Sequence, residues 1–168
     1  VFSKDNWKRP IKEVKELFNF IEFFYFNFEK TALEENVKIS HIGSMNKVPL
    51  PLKNLINKVI LKTSKNTGIK VNLAFNYSGK EEIINAFKKL KNKEKFTTKE
   101  FESHLYSSGI PNPDLIIRTG GEKRLSDFLI WQSTYSELFF TKILWPDFKV
   151  YNLKKILNLF YKFQSNYG

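Results

Sequence analysis

Residues 114–127 read Asp-Leu-Ile-Ile-Arg-Thr-Gly-Gly-Glu-Lys-Arg-Leu-Ser-Asp. The first part, Asp114–Arg118, is a short apolar run that ends in a charged residue. Such a run, bounded by turn residues, is typical of a buried strand in a parallel sheet. The loop after it, Thr119–Asp127, holds two glycines, two acids and two bases. Because open parallel sheets bind ligands beyond the carboxyl ends of their strands, we expect this segment to be a binding loop.

Strands and helices alternate upstream of this loop. Hydrophobic spacing and the proline and glycine positions predict helix 12–35, strand 37–43, a helix from Pro49 that Gly68 ends, strand 69–76 and helix 80–90. Downstream, an apolar run at 138–140 and a closing helix over 153–163 complete the pattern. This order predicts an α/β fold with a mostly parallel sheet flanked by helices. A length of 168 residues with 42% hydrophobic content favours one domain, residues 1–168.

Both long upstream helices have a clear apolar face. In the first, helical spacing gives the face Val14, Leu17, Phe18, Ile21, Phe24 and Phe28. In the second, the predicted inward residues are Leu52, Leu55, Ile56, Val59 and Ile60. The first helix also carries phenylalanines at 20, 23 and 26, which a helix packed on one side only does not need. We expect it either to be deeply buried or to line an apolar cavity.

The composition narrows the class of partner. The net charge of +11 favours anionic partners such as diphosphates, nucleic acid or an acidic membrane surface. The absence of cysteine excludes disulfides and thiolate metal sites. The longest apolar stretch, Leu17–Phe28, is broken by Asn19, Glu22 and Asn27, so it lacks the ~20 continuous apolar residues of a membrane-spanning helix.

Two further features are interpreted as structural. The lysine-rich run Lys88–Lys99 is expected to be a solvated connection, and Thr97 with Glu100 matches a capping box for the next helix. His41 lies in a predicted strand and His104 in a predicted helix, and their spacing does not suggest a metal pair.

Arginine is rare in this chain. Of the 28 basic residues, 25 are lysine and only three are arginine: Arg9, Arg118 and Arg124. Arginine offers a rigid planar fork of donors that grips a phosphate or carboxylate at two points, whereas lysine supplies a point charge. Arginines retained in so lysine-biased a chain are therefore candidates for anion binding.

Three blocks carry a resemblance to a known family. The longest runs from Asp114 through Glu137 and continues to Trp145-Pro-Asp-Phe148. The second is Phe2-Ser3 with Asn6-Trp-Lys-Arg-Pro10, and the third is Asn66-Thr-Gly68 followed by Asn76-Tyr-Ser-Gly-Lys80. In order and spacing these blocks resemble the cis-prenyltransferases, the undecaprenyl and dehydrodolichyl diphosphate synthases. All three arginines and all three tryptophans fall inside them.

The resemblance implies a fold and a reaction. The implied fold is a mostly parallel sheet flanked by helices, with a hydrophobic tunnel that holds the growing chain and has the phenylalanine-rich helix as a natural wall. The implied reaction condenses isopentenyl diphosphate onto an allylic diphosphate, such as farnesyl diphosphate, with cis geometry and Mg²⁺ as cofactor. The family also implies a homodimer. We expect a cytoplasmic protein without a nucleic-acid partner, and the insoluble product favours peripheral contact with a membrane.

The resemblance also assigns roles to residues of the loop. Arg118, Arg124 and Ser126 match the family positions that bind the diphosphate of isopentenyl diphosphate. Two guanidinium forks and a hydroxyl beside two glycines suit an anionic headgroup chemically. The alternative is that the arginines form surface ion pairs with Glu122 and Asp127.

Further roles follow for the metal and for the opening segment. Glu137 matches the family glutamate associated with the magnesium site, of which one carboxylate is only a part. Ser3, Asn6, Trp7 and Arg9 match the flexible loop that closes near the allylic substrate. Asn6 and Arg9 are the catalytic candidates, because Asn6 resembles the asparagine implicated in proton removal.

Two parts of the family pattern are missing. The family has an N-terminal block, roughly Met-Asp-Gly-Asn, that has no counterpart here and would precede Val1. We therefore expect a preceding segment, and we expect residues 1–168 alone to be inactive. The tail Lys162–Gly168 also lacks the arginines that in the family help to complete the partner subunit's site.

Asn76 and Tyr77 are interpreted as structural residues of a turn at a strand end.

Two other functions stay open at this point. One is a non-catalytic partner subunit of a heteromeric cis-prenyltransferase, although Arg118, Arg124, Ser126 and Glu137 are all present. The other is a nucleic-acid-binding module, which the net charge favours but which the scattered lysines do not support.

Overall fold

The computed structural model describes residues 2–164, and residues 165–168 of the tail lie outside this range. The chain forms two compact units, Val1–Ser108 and Gly109–Gly168. The first contains β1 (Phe2–Ser3), a 3₁₀ helix (Lys4–Lys8), α1 (Ile11–Glu34), β2 (Lys38–Ile42), α2 (Leu50–Lys62), β3 (Lys70–Tyr77), α3 (Gly79–Leu90) and α4 (Thr98–Glu102). The second contains β4 (Leu115–Arg118), β5 (Glu137–Phe140), a 3₁₀ helix (Trp145–Asp147) and α5 (Val150–Gln164). The single domain over 1–168 stays a prediction.

The sheet of the first unit is parallel and has the order β1-β3-β2. Strand β3 lies in the middle, with Phe2 opposite Phe75 on one side and Ile42 opposite Ala74 on the other. The connections between the strands of this sheet pass through helices α1 and α2, as is usual for parallel strands. The carboxyl ends of all three strands therefore lie at the same edge of the sheet. The predicted α/β fold with parallel strands and flanking helices is confirmed.

Helices α1 and α2 bury their predicted apolar faces against this sheet. The buried cluster is Phe2, Val14, Ile21, Tyr25, Ala32, Ile39, Val48, Leu52, Ile56, Val59 and Phe75. The prediction that Gly68 ends the second helix is wrong, because α2 ends at Lys62. Gly68 instead lies against the turn after α1, where a Cβ atom would come within 2.5 Å of the carbonyl oxygen of Asn36.

The second apolar face of α1 is exposed in this unit. Phe20, Phe23 and Phe26 are 63%, 67% and 70% exposed. A groove of about 280 Å³ runs along this face and is lined by Phe20, Phe23, Phe24, Asn27, Phe28 and Thr31. Within this unit the second face of α1 is therefore not deeply buried, and the expectation that α1 lines an apolar cavity stays a prediction. Within residues 2–164, no helix has both the length and the apolar character needed to cross a membrane.

The remaining predictions of local structure need one correction. Thr97 caps α4 by accepting a hydrogen bond from the backbone N–H of Glu100 at 3.2 Å, as predicted. Helix α4 ends at Glu102, so His104 lies after a helix and not within one. In the second unit, β4 and β5 form a parallel pair in which Leu115 lies opposite Glu137 and Arg118 opposite Phe140.

Candidate functional site

The opening segment of the first unit is held to the sheet by its aromatic side chains. Phe2 is buried between Phe75 and Phe18, and the ring of Trp7 packs edge-on against both Phe2 and Phe18 at centroid distances of 5.5 and 5.4 Å. The indole Nε1–H of Trp7 donates to Oδ1 of Asn76 at 2.7 Å. Trp7 is therefore anchored at the carboxyl end of β3.

The polar residues of the same segment bond to one another. Oδ1 of Asn6 accepts from the backbone N–H of Ser3 at 2.7 Å and from its hydroxyl at 3.0 Å. Arg9 forms an ion pair with Glu13 at 3.3 Å. The structure thus brings Ser3 and Asn6 together, while Arg9 is exposed and follows the 3₁₀ helix.

A second exposed ion pair lies within this segment. Lys8 and Asp5 are 2.7 Å apart. The hydrogen bond from Lys8, and then its charge, lower the pKa of Asp5, and the same contact raises the pKa of Lys8. Both groups are fully exposed, so this ion pair is a surface contact and adds nothing to the burial of the segment.

Asn76 has more contacts than sequence reasoning assigned to it. It is 4% exposed and has a left-handed backbone conformation, with φ of 52°. Besides accepting from Trp7, its Nδ2 donates to the carbonyl oxygens of Ser44 at 2.8 Å and Asn46 at 2.9 Å. The available sequence signal was an asparagine at a strand end, since asparagine tolerates this conformation better than most residues.

The loop after β4 brings three of the predicted residues together. Nη1 of Arg118 donates to the hydroxyl of Ser126 at 2.9 Å and to the backbone carbonyl of Arg124. The strand end, the second arginine and the serine therefore meet at one point. The contact uses the backbone of Arg124 and not its guanidinium, and the diphosphate-binding role of the three residues stays a prediction.

The backbone of this loop is strained. Ser126, Asp127 and Leu129 have φ of 49°, 65° and 47°, in the left-handed region that residues other than glycine rarely adopt. Such residues cost on the order of 1–3 kcal/mol each and are concentrated at functional sites. Ser126 therefore accepts the hydrogen bond from Arg118 in a backbone conformation that has an energetic cost.

The two loop glycines shape the backbone of this loop. Gly120 and Gly121 have φ of 90° and 85°, which favours glycine at both positions. Their N–H groups donate to the carbonyls of Ile143 and Thr141 at 2.9 and 2.8 Å. They turn the chain along residues 141–143, so their N–H groups are not directed at an anion.

A pocket of about 250 Å³ lies beside this loop. Its lining residues are Ile116, Ile117, Arg118, Thr119, Arg124, Leu125 and Phe128. Both guanidinium-bearing residues line the same space, and the rest of the lining is mostly apolar. This combination suits an anionic headgroup attached to a hydrocarbon.

Arg124 has the partner that the ion-pair alternative predicted. Its Nη1 contacts the carboxylate of Glu122, and the two side chains are 62% and 54% exposed. Exposed ion pairs of this kind contribute about 0–1 kcal/mol, so a multiply charged diphosphate can displace the glutamate. The ion pair is therefore compatible with a binding role for Arg124.

Glu137 is not brought together with Arg118. It begins β5 opposite Leu115, three strand positions before the level of Arg118, a separation of roughly 10 Å. Because strand side chains alternate between faces, this odd separation places the two residues on opposite faces of the pair. Among the described residues, no group of three or more His, Asp or Glu side chains could hold a metal ion. Mg²⁺ takes one or two carboxylates together with water and substrate phosphates, so a site that uses Glu137 would depend on those other ligands.

Comparison with known proteins agrees with the sequence blocks. The family model described as "Putative undecaprenyl diphosphate synthase" matches residues 1–168. An isoprenyl transferase of Treponema denticola is 42% identical over 170 residues, covering 100% of this chain and 75% of that protein. The ditrans,polycis-undecaprenyl-diphosphate synthase of Buchnera aphidicola, described as (2E,6E)-farnesyl-diphosphate specific, is 39% identical over 176 residues, covering 100% of this chain and 71% of that protein.

Solved structures give the same result. A probable undecaprenyl diphosphate synthase from Campylobacter jejuni has a TM-score of 0.87 and 31% identity, covering 95% of this chain and 76% of that one. Lavandulyl diphosphate synthase from Lavandula x intermedia, solved with dimethylallyl diphosphate, has a TM-score of 0.90 and 30% identity, covering 95% of this chain and 72% of that one. The family model and the identities shared over the whole chain show that this protein belongs to the undecaprenyl diphosphate synthase family of cis-prenyltransferases.

Proposed function

We propose that this protein condenses isopentenyl diphosphate onto an allylic prenyl diphosphate with cis geometry and so makes a long polyprenyl diphosphate. The observation that carries the proposal is that Arg118 and Arg124 line one pocket with apolar neighbours at the end of β4, where Arg118 also donates to Ser126. The Buchnera relative is described as farnesyl-diphosphate specific, which supports farnesyl diphosphate as the allylic substrate.

In this proposal the β4 loop binds the diphosphate of isopentenyl diphosphate. Arg118 is held by Ser126 and the carbonyl of Arg124, and its other guanidinium donors can bind phosphate oxygens. Arg124 exchanges its ion pair with Glu122 for a second set of charge-assisted hydrogen bonds. The apolar part of the lining receives the five-carbon unit.

The reaction is an electrophilic transfer. The bond between the allylic carbon and its diphosphate breaks, and the diphosphate leaves with the electron pair. The double bond of isopentenyl diphosphate attacks that carbon, and one proton is lost as the new cis double bond forms. Stabilising the departing negative charge is the main electrostatic task, and excluding water protects the cationic centre.

The opening segment is assigned to the allylic side. Ser3 and Trp7 position the segment, Arg9 supplies a cation for the allylic diphosphate, and Asn6 assists removal of the proton. Because Oδ1 of Asn6 accepts two hydrogen bonds from Ser3, that oxygen must exchange partners to act on a substrate proton.

Magnesium is the proposed cofactor, with Glu137 as one of its ligands. The remaining ligands would be water, substrate phosphates and groups other than those described here, since one carboxylate is an incomplete site. We expect Glu137→Gln to raise the Mg²⁺ concentration needed for half-maximal activity. Affinity for isopentenyl diphosphate measured in EDTA is expected to stay unchanged, and a loss of that affinity would contradict the assignment.

The product and the assembly complete the proposal. The phenylalanine groove of α1 is proposed to contact the growing hydrocarbon, because each added unit buries apolar surface at about 25 cal/mol per Å². A homodimer is proposed from the family resemblance, and peripheral membrane contact is proposed because the product is insoluble. Light scattering of the purified protein and flotation with vesicles of phosphatidylglycerol test these two points.

The function is tested by chain elongation. The protein expressed from the complete coding sequence is incubated with farnesyl diphosphate, labelled isopentenyl diphosphate and Mg²⁺, and the product geometry is determined by NMR. We expect a labelled product of several cis units, and an Arg118→Lys, Arg124→Lys double variant should lose it. A protein that binds neither diphosphate, or that elongates only when a second subunit is added, would contradict the proposal.

A further inference from the structure

The left-handed asparagine at the end of β3 has every polar atom of its side chain engaged. Oδ1 of Asn76 accepts from the indole of Trp7, and the two Nδ2–H bonds go to the carbonyls of Ser44 and Asn46. An indole N–H can only donate and a carbonyl can only accept, so the orientation of the amide is determined by its partners. One buried side chain therefore joins the opening segment, β3 and the β2–α2 loop.

The backbone of Asn76 supports the same arrangement. Its carbonyl accepts from the N–H of Ser44 at 3.1 Å, so main chain and side chain both hold the β2–α2 loop. With φ of 52°, the residue leaves the regular strand conformation and directs its side chain to partners that an extended residue would not reach. The strained conformation persists because several buried hydrogen bonds depend on it.

Trp7 transmits this position to the residues around it. Its ring packs on Phe2 and Phe18, and Trp7 lies within the short 3₁₀ helix that contains Asn6 and precedes Arg9. Asn6 also accepts from Ser3, and its backbone carbonyl accepts from the N–H of Arg9 at 3.1 Å. The indole therefore belongs to the same short hydrogen-bonded segment as Asn6 and Arg9.

We propose that Asn76 is a positioning residue for the opening segment, acting through Trp7 to hold Asn6 and Arg9 in place for the allylic substrate. The inference rests on the proposed function for its kinetic consequence, while the placement of Trp7 rests on the hydrogen bond alone. It goes beyond the interpretation of Asn76 as a turn residue, because it links Asn76 to one substrate and not to the other.

The test is a double-mutant cycle with Asn76→Gly and Trp7→Phe. Glycine keeps the left-handed backbone and removes the side-chain bonds, while phenylalanine keeps most ring packing and removes the indole N–H. Subtracting the fluorescence of the Trp7→Phe protein from that of its parent isolates the emission of Trp7 in each Asn76 background. We expect Asn76→Gly to move that emission to longer wavelength and to increase its quenching by acrylamide.

Kinetics give the second readout. Asn76→Gly should lower kcat/KM for farnesyl diphosphate by ~10- to 100-fold, since small misplacements of catalytic groups have effects of this size. KM for isopentenyl diphosphate should change less than about threefold, because its proposed ligands lie in the β4 loop. The double variant should lose little more than either single variant, as coupled residues do.

Asn66→Ala is the matched control. Asn66 is a half-buried asparagine of the same unit and lies before β3. Its Nδ2 donates to the carbonyls of Ala32 at 3.0 Å and Val37 at 2.8 Å. Asn66→Ala should lower the melting temperature. It should leave Trp7 emission unchanged and should not selectively lower kcat/KM for farnesyl diphosphate. Equal kinetic effects of Asn66→Ala and Asn76→Gly, with unchanged Trp7 emission, would overturn the proposal.

A measurement on the unsubstituted protein covers the case in which Asn76→Gly does not fold. The indole N–H of Trp7 should exchange with solvent more slowly than that of Trp145, which is 75% exposed. Equal exchange rates would overturn the proposal. If the unsubstituted protein does not elongate prenyl chains, the proposed function fails, and indole exchange and Trp7 emission still decide the positioning role.

Discussion

Arg118 donates from Nη1 to the hydroxyl of Ser126 at 2.9 Å, and this bond joins the end of β4 to the left-handed part of its loop. The same nitrogen also contacts the carbonyl of Arg124. The guanidinium is therefore oriented by the protein before any anion binds. An oriented fork loses less conformational entropy on binding than a free side chain does.

Arg118→Lys should weaken binding of isopentenyl diphosphate by ~10-fold or more, because hydrogen bonds to charged groups contribute about 1.5–3 kcal/mol. Lysine keeps the charge but not the planar fork that bonds Ser126 and a phosphate together. Calorimetric titration measures the change. Lys123→Gln, an exposed charge of the same loop, is the control and should change affinity less than about threefold. Equal losses in the two variants would show that only net charge matters.

Glu122→Gln should tighten binding of isopentenyl diphosphate by about 1.4- to 5-fold. The substitution releases Arg124 from an exposed ion pair, and such pairs contribute about 0.2–1 kcal/mol. The same titration measures it. Glu94→Gln makes an identical charge change at an exposed position of the other unit and should have a smaller effect. Weaker binding in Glu122→Gln would mean that the carboxylate helps to orient Arg124.

Tyr25→Phe should stabilise the protein by about 1 kcal/mol. Tyr25 is 2% exposed, and its hydroxyl has no hydrogen-bond partner among residues 2–164. Burial also raises the pKa of this phenol. An unpaired buried hydroxyl costs about 1–3 kcal/mol, and phenylalanine removes it without changing the ring. Urea unfolding measures the free energy of unfolding.

The control for this prediction is Tyr106→Phe. The hydroxyl of Tyr106 accepts from Nδ2 of Asn85 at 2.7 Å, so its removal should destabilise the protein by about 1 kcal/mol. Destabilisation by both substitutions would mean that the hydroxyl of Tyr25 is hydrogen-bonded in solution.

His41 should make stability fall in mild acid. Burial lowers the pKa of His41 below its ordinary value of 6.5, against a smaller opposing effect of the hydrogen bond to the carbonyl of Phe75. The unfolded chain therefore binds the proton more readily than the folded protein does. The stability from neutral His41 is present above pH 6.5 and is lost as the pH falls through 6.5 toward the lowered pKa, by at most about 1.4 kcal/mol per pH unit.

His41→Gln tests this dependence, since glutamine keeps an N–H donor for the Phe75 carbonyl and does not titrate. Urea unfolding at pH 7.5 and at pH about 5 compares the variant with its parent. The variant should gain stability relative to the parent at the lower pH. A constant difference between the two proteins at both pH values would contradict the prediction.

Local structure followed closely from the sequence. The first helix was predicted over 12–35 and is found at Ile11–Glu34, because its apolar spacing and the preceding Pro10 are local signals. The end of α2 was placed wrongly at Gly68, since glycine often follows a helix but here allows close approach to Asn36. The sequence places two glycines in the loop, and both have positive φ. The partners of their N–H groups come from residues 141–143, which the local pattern does not indicate.

The amino-acid order by itself determined the parallel α/β class, the helices and the family, because periodicity and motif spacing are properties of neighbouring residues. The tertiary structure alone decided which residues meet. Trp7 and Asn76 are 69 positions apart and become partners only when β1 pairs with β3. Glu137 and Arg118 share one sequence block, yet the register of β4 against β5 places them at opposite ends of the strand pair, because register depends on packing between strands and not on spacing along one of them.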